Sequence, residues 1–433
     1  MDTIEIIALE RVCRRFQGLV YSHFSSVKEV DLPLITQSLR ENGVIKSHRS
    51  VTKYLILTGL SLTKLKMDHS TYFSRSNILH TIARLCPSLE SLDVSICSSL
   101  NYVPLKSDPN LFSNLKELVA DATSGFGDKS LEIILKNATN LEVLSILFST
   151  VNGKSFHYLP SSLKSLSICT SIHKNNFEYV LQKCPNLEKL DNKGLRLSSD
   201  VYKRLGRSCP NMKELLIESK IEDDSFFKEF SSLEKLIIMS AKLNLSSFIS
   251  NICHLPLKLL ILDVADLIRT NVDWSKLTNL EELTILSTNT PFDNMLFIES
   301  CKTLKYLKIK IPGLTRELTC SLVKGLPQLT SLSTSSIAYC EEFVTDLKKA
   351  VRKRENKIKI TITRRPFSYF TRRNADDVNE IPEINDDKFE LKFVEDDWLQ
   401  EDFTDSDGET FTFIYYLIFF ITCAKMNFCF SRY

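Results

Sequence analysis

Cysteine is the residue type in this sequence with the widest choice of chemistry. The chain contains twelve cysteines and seven histidines, which could serve zinc sites, disulfides or a nucleophile. No two cysteines have the CxxC spacing and the histidines are scattered, so no metal site is indicated. Four of the cysteines recur instead at one place in a repeated pattern, and they are Cys86, Cys184, Cys209 and Cys301. Other repeats place Phe, Ala or Leu there, which indicates a buried apolar pocket filled by a small hydrophobic thiol.

Other candidate catalytic groups also favour structural roles. Gly125, Gly127 and Lys129 lack the spacing of a phosphate-binding loop, and neither HExxH nor GxSxG occurs. The acidic residues 222–224 lie at a predicted helix start, where negative charge suits the helix dipole. The sequence therefore predicts a protein that is not an enzyme and that uses no cofactor.

The repeated pattern consists of an apolar residue at i, leucine at i+3 and an apolar residue at i+5. The starts are Leu62, Leu89, Leu115, Leu141, Leu163, Leu187, Met212, Leu233, Leu257, Leu280, Leu304 and Leu329. Successive starts lie 21 to 27 residues apart, inside the window of roughly 20 to 29 residues typical of leucine-rich repeats. Position i+3 is leucine in all twelve repeats. Asn192 and Thr334 interrupt the pattern at i+5, and Ala120 fills that position weakly.

The elements that position these residues follow from their spacing. Positions i+3 and i+5 lie on one side of a short strand, because strand side chains alternate. Helices with one apolar stripe, such as Phe177, Val180, Leu181 and Cys184, are expected between the strands. Stacked repeats then bury a continuous leucine core. The predicted fold is an α/β leucine-rich repeat solenoid, a right-handed α/β horseshoe.

The concave face of such a solenoid is the expected binding surface, and positions i+2, i+4 and i+6 lie on it. These positions are polar in the early repeats and apolar in the middle ones. The predicted substrate-binding patch is Leu216, Ile237, Met239, Leu259 and Ile261. Exposed apolar surface with a charged rim is typical of a protein-binding site. A loop or tail covering these strands, or a shift of one residue in register, would instead bury the patch.

Residues 1–19 are predicted to form an amphipathic helix, because Leu9, Cys13 and Phe16 fall near one face with Val12 beside them. Acidic residues interrupt this stretch, so it does not have the pattern of a secretory signal. The conservative interpretation is a cap that shields the first repeat.

Three successive stretches resemble the second half of an F-box that leads into a leucine-rich repeat domain. They are residues 9–16, Leu19-Val-Tyr and residues 27–32. The phrases Cys86-Pro-Ser-Leu, Cys184-Pro-Asn-Leu and Cys209-Pro-Asn-Met resemble the cysteine-containing repeats of the F-box and leucine-rich-repeat family. The Leu-Pro-containing opening of an F-box does not precede residues 9–16, so the element is expected to be N-terminally incomplete.

This resemblance implies the substrate-recognition subunit of an SCF-type ubiquitin ligase. Leu9, Val12, Cys13 and Phe16 would then contact a Skp-type adaptor and, through it, the cullin ligase core. A protein substrate would bind the concave face for ubiquitin-dependent degradation. The alternative is a leucine-rich-repeat interaction scaffold without ligase function.

The end of the chain differs in character from the repeats. Arg364, Arg365, Arg372 and Arg373 precede a stretch, residues 376–409, that holds fifteen acidic residues. Dense like charge is typical of disorder, and the adjacent acids argue against nucleic-acid binding. Residues 411–424 are uncharged, but fourteen residues are fewer than the roughly 20 that span a bilayer. Reduced cysteines favour the cytoplasm or nucleus, with a tail-anchored protein as the minor alternative.

The predicted domain organisation has four parts. They are a partial F-box-like helical segment at 1–26, the repeat array at 27–363, a basic-then-acidic disordered tail at 364–410 and a hydrophobic segment at 411–433.

Overall fold

A computed structural model of the protein describes residues 18–19, 22–33, 55–67, 78–97, 112–123, 125–268, 272–286, 298–311, 314–335, 341–364, 384–395, 402–404 and 410–412. The chain divides into two units, residues 1–303 and residues 304–433. Each unit is described separately below.

Among its described residues, the first unit contains eleven strands that pair in chain order, each parallel to the next. The strands are β1 (Glu29–Asp31), β2 (Lys64–Lys66), β3 (Ser91–Asp93), β4 (Glu117–Val119), β5 (Val143–Ser145), β6 (Ser165–Cys169), β7 (Lys189–Lys193), β8 (Glu214–Glu218), β9 (Lys235–Asn244), β10 (Leu259–Ile268) and β11 (Glu282–Leu286). Parallel neighbours in sequence order are the arrangement that stacked repeats require.

Helices connect the strands of this unit. The α-helices are α1 (Ile78–Leu85), α2 (Asp128–Asn137), α3 (Glu178–Lys183), α4 (Ser199–Ser208) and α5 (Leu245–Ile252). Short 3₁₀ helices are Lys154–Tyr158, Lys174–Phe177, Ser225–Glu229, Trp274–Lys276 and Ile298–Ser300. The predicted apolar stripe at Phe177, Val180, Leu181 and Cys184 is buried. The predicted α/β leucine-rich repeat solenoid is therefore confirmed.

The leucines at i+3 form the centre of the core. Leu92, Leu118, Leu144 and Leu166 have no measurable exposure, and Leu215 is 1% exposed. Each lies opposite the corresponding leucine of the next strand. A buried leucine contributes about 1.5–3 kcal/mol relative to an exposed one, so this row is the main apolar support of the sheet.

Asn192 occupies a core position where the pattern expects an apolar residue, yet it is fully buried. Its Nδ2 donates to the carbonyl oxygen of Leu195 at 2.9 Å and to the hydroxyl oxygen of Tyr202 at 2.8 Å. Its Oδ1 accepts from the Leu195 amide at 3.1 Å. Because buried polar groups are tolerated when they are hydrogen-bonded, Asn192 ties the end of β7 to α4.

The cysteine positions are buried as predicted, with Cys86, Cys184, Cys209 and Cys301 between 0% and 3% exposed. The structure adds a polar contact that the sequence did not indicate. The Cys209 thiol donates to the carbonyl oxygen of Cys184 at 3.3 Å, and His254 Nε2 lies 2.9 Å from the carbonyl oxygen of Phe230. Each accepting carbonyl belongs to the residue that holds the same repeat position in the preceding repeat. A hydrogen-bond donor at this position therefore links successive repeats.

Local sequence signals explain where several helices begin. Ser198 Oγ accepts from the amide of Val201 at the start of α4, and Asn244 Oδ1 accepts from the amide of Ser247 at the start of α5. Such caps satisfy amides that have no partner inside the helix.

The second unit continues the alternation of strand and helix. Its elements are β12 (Tyr306–Lys310), α6 (Arg316–Gly325), β13 (Ser331–Ser335), α7 (Glu341–Val351), β14 (Ile358–Arg364), β15 (Ile384–Asn385) and β16 (Phe389–Glu395), and the hairpin strands β17 (Asp402–Thr404) and β18 (Thr410–Thr412). Strands β12, β13, β14 and β16 pair in parallel, and β15 pairs antiparallel with β16.

Strand β16 corrects the prediction that the sheet ends at residue 363 and that a disordered tail follows. It pairs with β14 from Ile358 to Arg364, and its Phe389 and Leu391 are fully buried. These apolar residues alternate with charged ones, and the period-2 pattern buries one side of the strand despite the acidic composition.

Arg354 closes the loop that follows α6. It is 7% exposed, and its Nη1 donates to the carbonyl oxygens of Val323 and Leu326 at 2.7 Å each. Its Nη2 donates to the carbonyl oxygens of Pro327, at 3.1 Å, and Leu329. A single side chain from beyond α7 thus satisfies four carbonyl groups at a helix end.

Candidate functional site

The candidate site is the outward face of the first unit's sheet, which we define as the face opposite the leucine core. It carries the side chains at i+2, i+4 and i+6. Burial supports this alternation most clearly on β9, where Leu236 and Ile238 are fully buried whereas Ile237 between them is half-buried. The one-residue register shift, which would place Ile237 in the core, does not occur.

Three of the predicted patch residues lie side by side on this face. Leu216 lies opposite Ile237 on the next strand, and Ile237 lies opposite Ile261. We call these three residues the apolar row. Leu259 precedes the row on β10 and Met239 follows it on β9, each on the same face.

The exposure of the predicted patch is lower than the sequence suggested. Leu216 and Leu259 are each 7% exposed and Ile261 is 9% exposed, whereas Ile237 and Met239 are half-buried. Side chains on parallel strands about 4.8 Å apart crowd one another. The apolar row is therefore tightly packed, and its most accessible member is Ile237, beside the half-buried Met239.

Charged residues lie along the strand starts, before the apolar row. Glu214 Oε2 lies 3.2 Å from Lys189 Nζ, and Glu214 Oε1 lies 3.5 Å from Lys235 Nζ. These three residues occupy equivalent positions on β7, β8 and β9. They form a charged border on this side of the apolar row.

Asp191 extends the apolar row onto β7, where it lies opposite Leu216. Its side chain is 6% exposed, and its Oδ2 lies 3.8 Å from Lys193 Nζ. Its Oδ1 is buried without a hydrogen-bond partner among the residues that the structure describes. Burial raises the pKa of Asp191, against the opposing charges of Lys193 and Lys189.

Two further carboxylates flank Met239 at position i+6. Glu218 lies opposite Met239 on one side, and Asp263 lies opposite it on the other. Burial and the charge of Glu218 both raise the pKa of Asp263. Neither acid was predicted as a site residue, although an acidic residue at i+6 on both β8 and β10 could have indicated them.

Asp121 is a separate polar centre at the end of β4. Its carboxylate accepts from Ser145 Oγ at 2.7 Å and from the Leu147 amide at 2.7 Å. Burial raises its pKa to about 6, although both hydrogen bonds and the charge of Lys193 act in the opposite direction. The contacts tie two successive repeats together, so Asp121 has a structural explanation.

The structure does not indicate catalytic chemistry at the cysteines. Burial raises the pKa of Cys86 and of Cys184 to about 12, and that of Cys209 to about 11. A thiolate is the reactive form of cysteine, so these thiols are poor nucleophiles. Within the described part of the chain, no group of three or more potential metal ligands is found. No helix within those same ranges is long and apolar enough to cross a membrane.

The predicted adaptor-contact residues Leu9, Val12, Cys13 and Phe16 lie outside the described residues. Their role stays a prediction.

No family model matches the sequence. F-box/LRR-repeat protein 4 of Bos taurus is 28% identical to this chain over 184 residues, which are 38% of the chain and 28% of that protein. The match thus spans less than one third of that relative. A structure of a TLR13–ssRNA13 complex matches with a TM-score of 0.45 and 16% identity, over 73% of this chain and 54% of that one. The repeat geometry and the partial match to the relative support a leucine-rich-repeat protein with a role in protein interaction.

Proposed function

We propose that this chain is a substrate-recognition subunit of an SCF-type ubiquitin ligase that binds a target protein on its outward face. The target-binding part of this proposal rests on the apolar row of Leu216, Ile237 and Ile261, which charged residues border on both sides. A surface with an apolar centre and a polar rim is the usual anatomy of a protein-binding site. The partial similarity to F-box/LRR-repeat protein 4 supports the ligase half.

The proposed mechanism is tethering and requires no chemistry from this chain. Leu9, Val12, Cys13 and Phe16 would contact a Skp-type adaptor, and the outward face would hold the target. Holding both partners on one protein raises the effective concentration of the target at the cullin ligase core. The chain would thereby direct ubiquitin-dependent degradation while the transfer of ubiquitin occurs on other subunits.

Co-purification with a Skp-type adaptor tests the ligase half. The full chain and a Val12→Asp, Phe16→Asp variant would each be co-expressed with the adaptor. We expect the full chain to retain the adaptor and the variant to lose it, because a carboxylate on the apolar helix face is costly to bury. Arg14→Asp is the matched control, since it adds the same carboxylate on the predicted opposite face.

Equal adaptor retention by both variants would contradict the assigned contact. Failure of the full chain to retain any adaptor would favour the second candidate, a leucine-rich-repeat scaffold that binds proteins without a ligase. The outward face supports that candidate equally well, because its geometry requires no adaptor.

A further inference from the structure

The apolar row ends in a carboxylate that lacks a full set of partners. Asp191 lies beside Leu216 on the outward face and is 6% exposed. Its Oδ1 has no hydrogen-bond donor among the described residues. A buried carboxylate oxygen without a donor is unfavourable, so a ligand that supplies a donor at this position would relieve the cost.

Acidic side chains gather on one side of the apolar row. Asp191, Glu218 and Asp263 lie toward the strand ends of β7, β8 and β10 on the outward face, and Lys193 Nζ lies 3.8 Å from Asp191 Oδ2. At the strand starts on the other side of the row, Glu214 lies between Lys189 and Lys235. The three carboxylates are thus placed around Met239, where a basic group of a ligand would meet them.

We propose that the outward face recognises a protein segment in which a lysine or arginine follows or precedes an apolar residue by two or three positions. The apolar side chain would pack on Ile237 and Met239, and the cation would pair with the Asp191 carboxylate. This inference rests on the target-binding half of the proposed function and names the chemistry of its ligand.

The spacing follows from the geometry of the sheet. Asp191 and Ile237 occupy equivalent positions on strands separated by β8, which places them about 10 Å apart. An extended segment crossing the strands advances about 3.3 Å per residue, so three residues cover this distance, and the long side chain of a lysine or arginine spans the remainder when the separation is two. Arginine suits the position because it presents several donors in one plane.

A random twelve-residue peptide library displayed on phage, selected on the full chain, tests this inference. We expect the selected peptides to be enriched in a basic residue two or three positions from an apolar one. A synthetic peptide of the selected sequence, compared with its citrulline counterpart, isolates the charge, because citrulline keeps the shape of arginine but is neutral. We expect citrulline to weaken binding roughly tenfold or more.

Asp191→Asn is the matched change on the protein, because it preserves shape and removes the charge. It should reduce affinity for the arginine peptide roughly tenfold and leave affinity for the citrulline peptide unchanged. Glu222→Gln is the control, since Glu222 is a solvent-exposed acid outside the outward face, and it should bind both peptides as the unmodified chain does. Thermal denaturation would establish that the variants are folded.

Selection of peptides without basic enrichment, or equal binding of the two peptides by the unmodified chain, would overturn the inference. Failure to select any peptide would overturn it as well. None of these results affects the adaptor co-purification, because that experiment tests residues 9–16. Failure of this inference can therefore be distinguished from failure of the ligase assignment.

Discussion

At the scale of single residues, buried polar side chains hold turns and successive repeats together. Asn192 satisfies the turn after β7, Asp121 accepts from the next repeat, and Arg354 donates to four carbonyl groups. Each occupies a position where an apolar side chain would leave backbone groups without partners. Such residues therefore contribute to stability through satisfied hydrogen bonds rather than through apolar area.

Asp121→Asn should change how stability depends on pH. The folded-state pKa of about 6 lies above the ordinary value near 4, so the folded protein holds this proton more tightly than the unfolded chain does. The stability from the protonated group is complete below about pH 4 and is lost as pH rises through 6, by up to about 3 kcal/mol. The asparagine variant lacks this loss, because its amide does not titrate.

Urea denaturation of both proteins between pH 4 and pH 7 measures the effect. Relative to the variant, the unmodified protein should become less stable as the pH rises. A constant difference across that range would show that Asp121 ionises at the same pH in the folded and unfolded states.

Arg354→Met should destabilise the protein by about 3 kcal/mol, because methionine preserves apolar volume but leaves buried carbonyl groups without donors. Arg352→Met, at an exposed neighbouring position, is the matched control and should have little effect. The midpoint of urea denaturation of the full chain is the measurement. Equal midpoints for the two variants would mean that water replaces the guanidinium at no cost.

At the scale of elements, a ladder of ion pairs follows the repeat starts. Position i+1 alternates between glutamate and lysine through ten successive repeats, which are Glu90, Lys116, Glu142, Lys164, Glu188, Lys213, Glu234, Lys258, Glu281 and Lys305. Within it, Lys213 Nζ lies 2.7 Å from Glu188 Oε2, and Lys258 Nζ lies 2.6 Å from Glu234 Oε2. Alternation keeps like charges from meeting on neighbouring repeats.

Lys213→Glu should lower the melting temperature, because it places three glutamates, at 188, 213 and 234, on adjacent repeats. The decrease should shrink in about 1 M salt, where charge interactions between exposed groups are screened within roughly 3 Å. Lys213→Gln is the control, since it removes the attraction without adding repulsion and should lower the melting temperature less. A decrease that is the same at low and high salt would rule out an electrostatic cause.

At the scale of the whole molecule, the proposed function separates two binding tasks along the chain. The adaptor contact is assigned to residues 9–16 and the target contact to the outward face of β7–β10. The described strands between these regions bury leucines of their own. Changes in one region should therefore leave binding at the other unaffected.

Ile237→Asp tests this separation. Ile237 is half-buried on the outward face, and a carboxylate there should abolish binding of the selected peptides, because it removes the apolar surface on which their apolar side chain packs. Adaptor co-purification should be unchanged, and Thr284→Asp, at the equivalent outward position on β11, is the control. Loss of both activities with an unchanged melting temperature would contradict the separation.

The repeat period, the positions of strands β2–β13 and the buried side of these strands were predictable from the leucine spacing. That spacing is local, and alternation along a strand translates it directly into burial. The buried cysteine pocket was predictable for the same reason, since one position tolerated several apolar residues.

Other features depended on contacts within and between repeats and so could not be read from single positions. Asn192 looked like a break in the pattern until Tyr202, ten residues later, supplied its partner. The apolar row was placed on the correct face, but its low exposure arises from crowding by neighbouring strands. The lack of a described hydrogen-bond partner for Asp191 Oδ1 and the burial of Phe389 in β16 likewise depend on which groups the stacked repeats bring together. Periodicity dictates which way a side chain points, whereas its exposure and its partners are set by the chain segments that pack beside it.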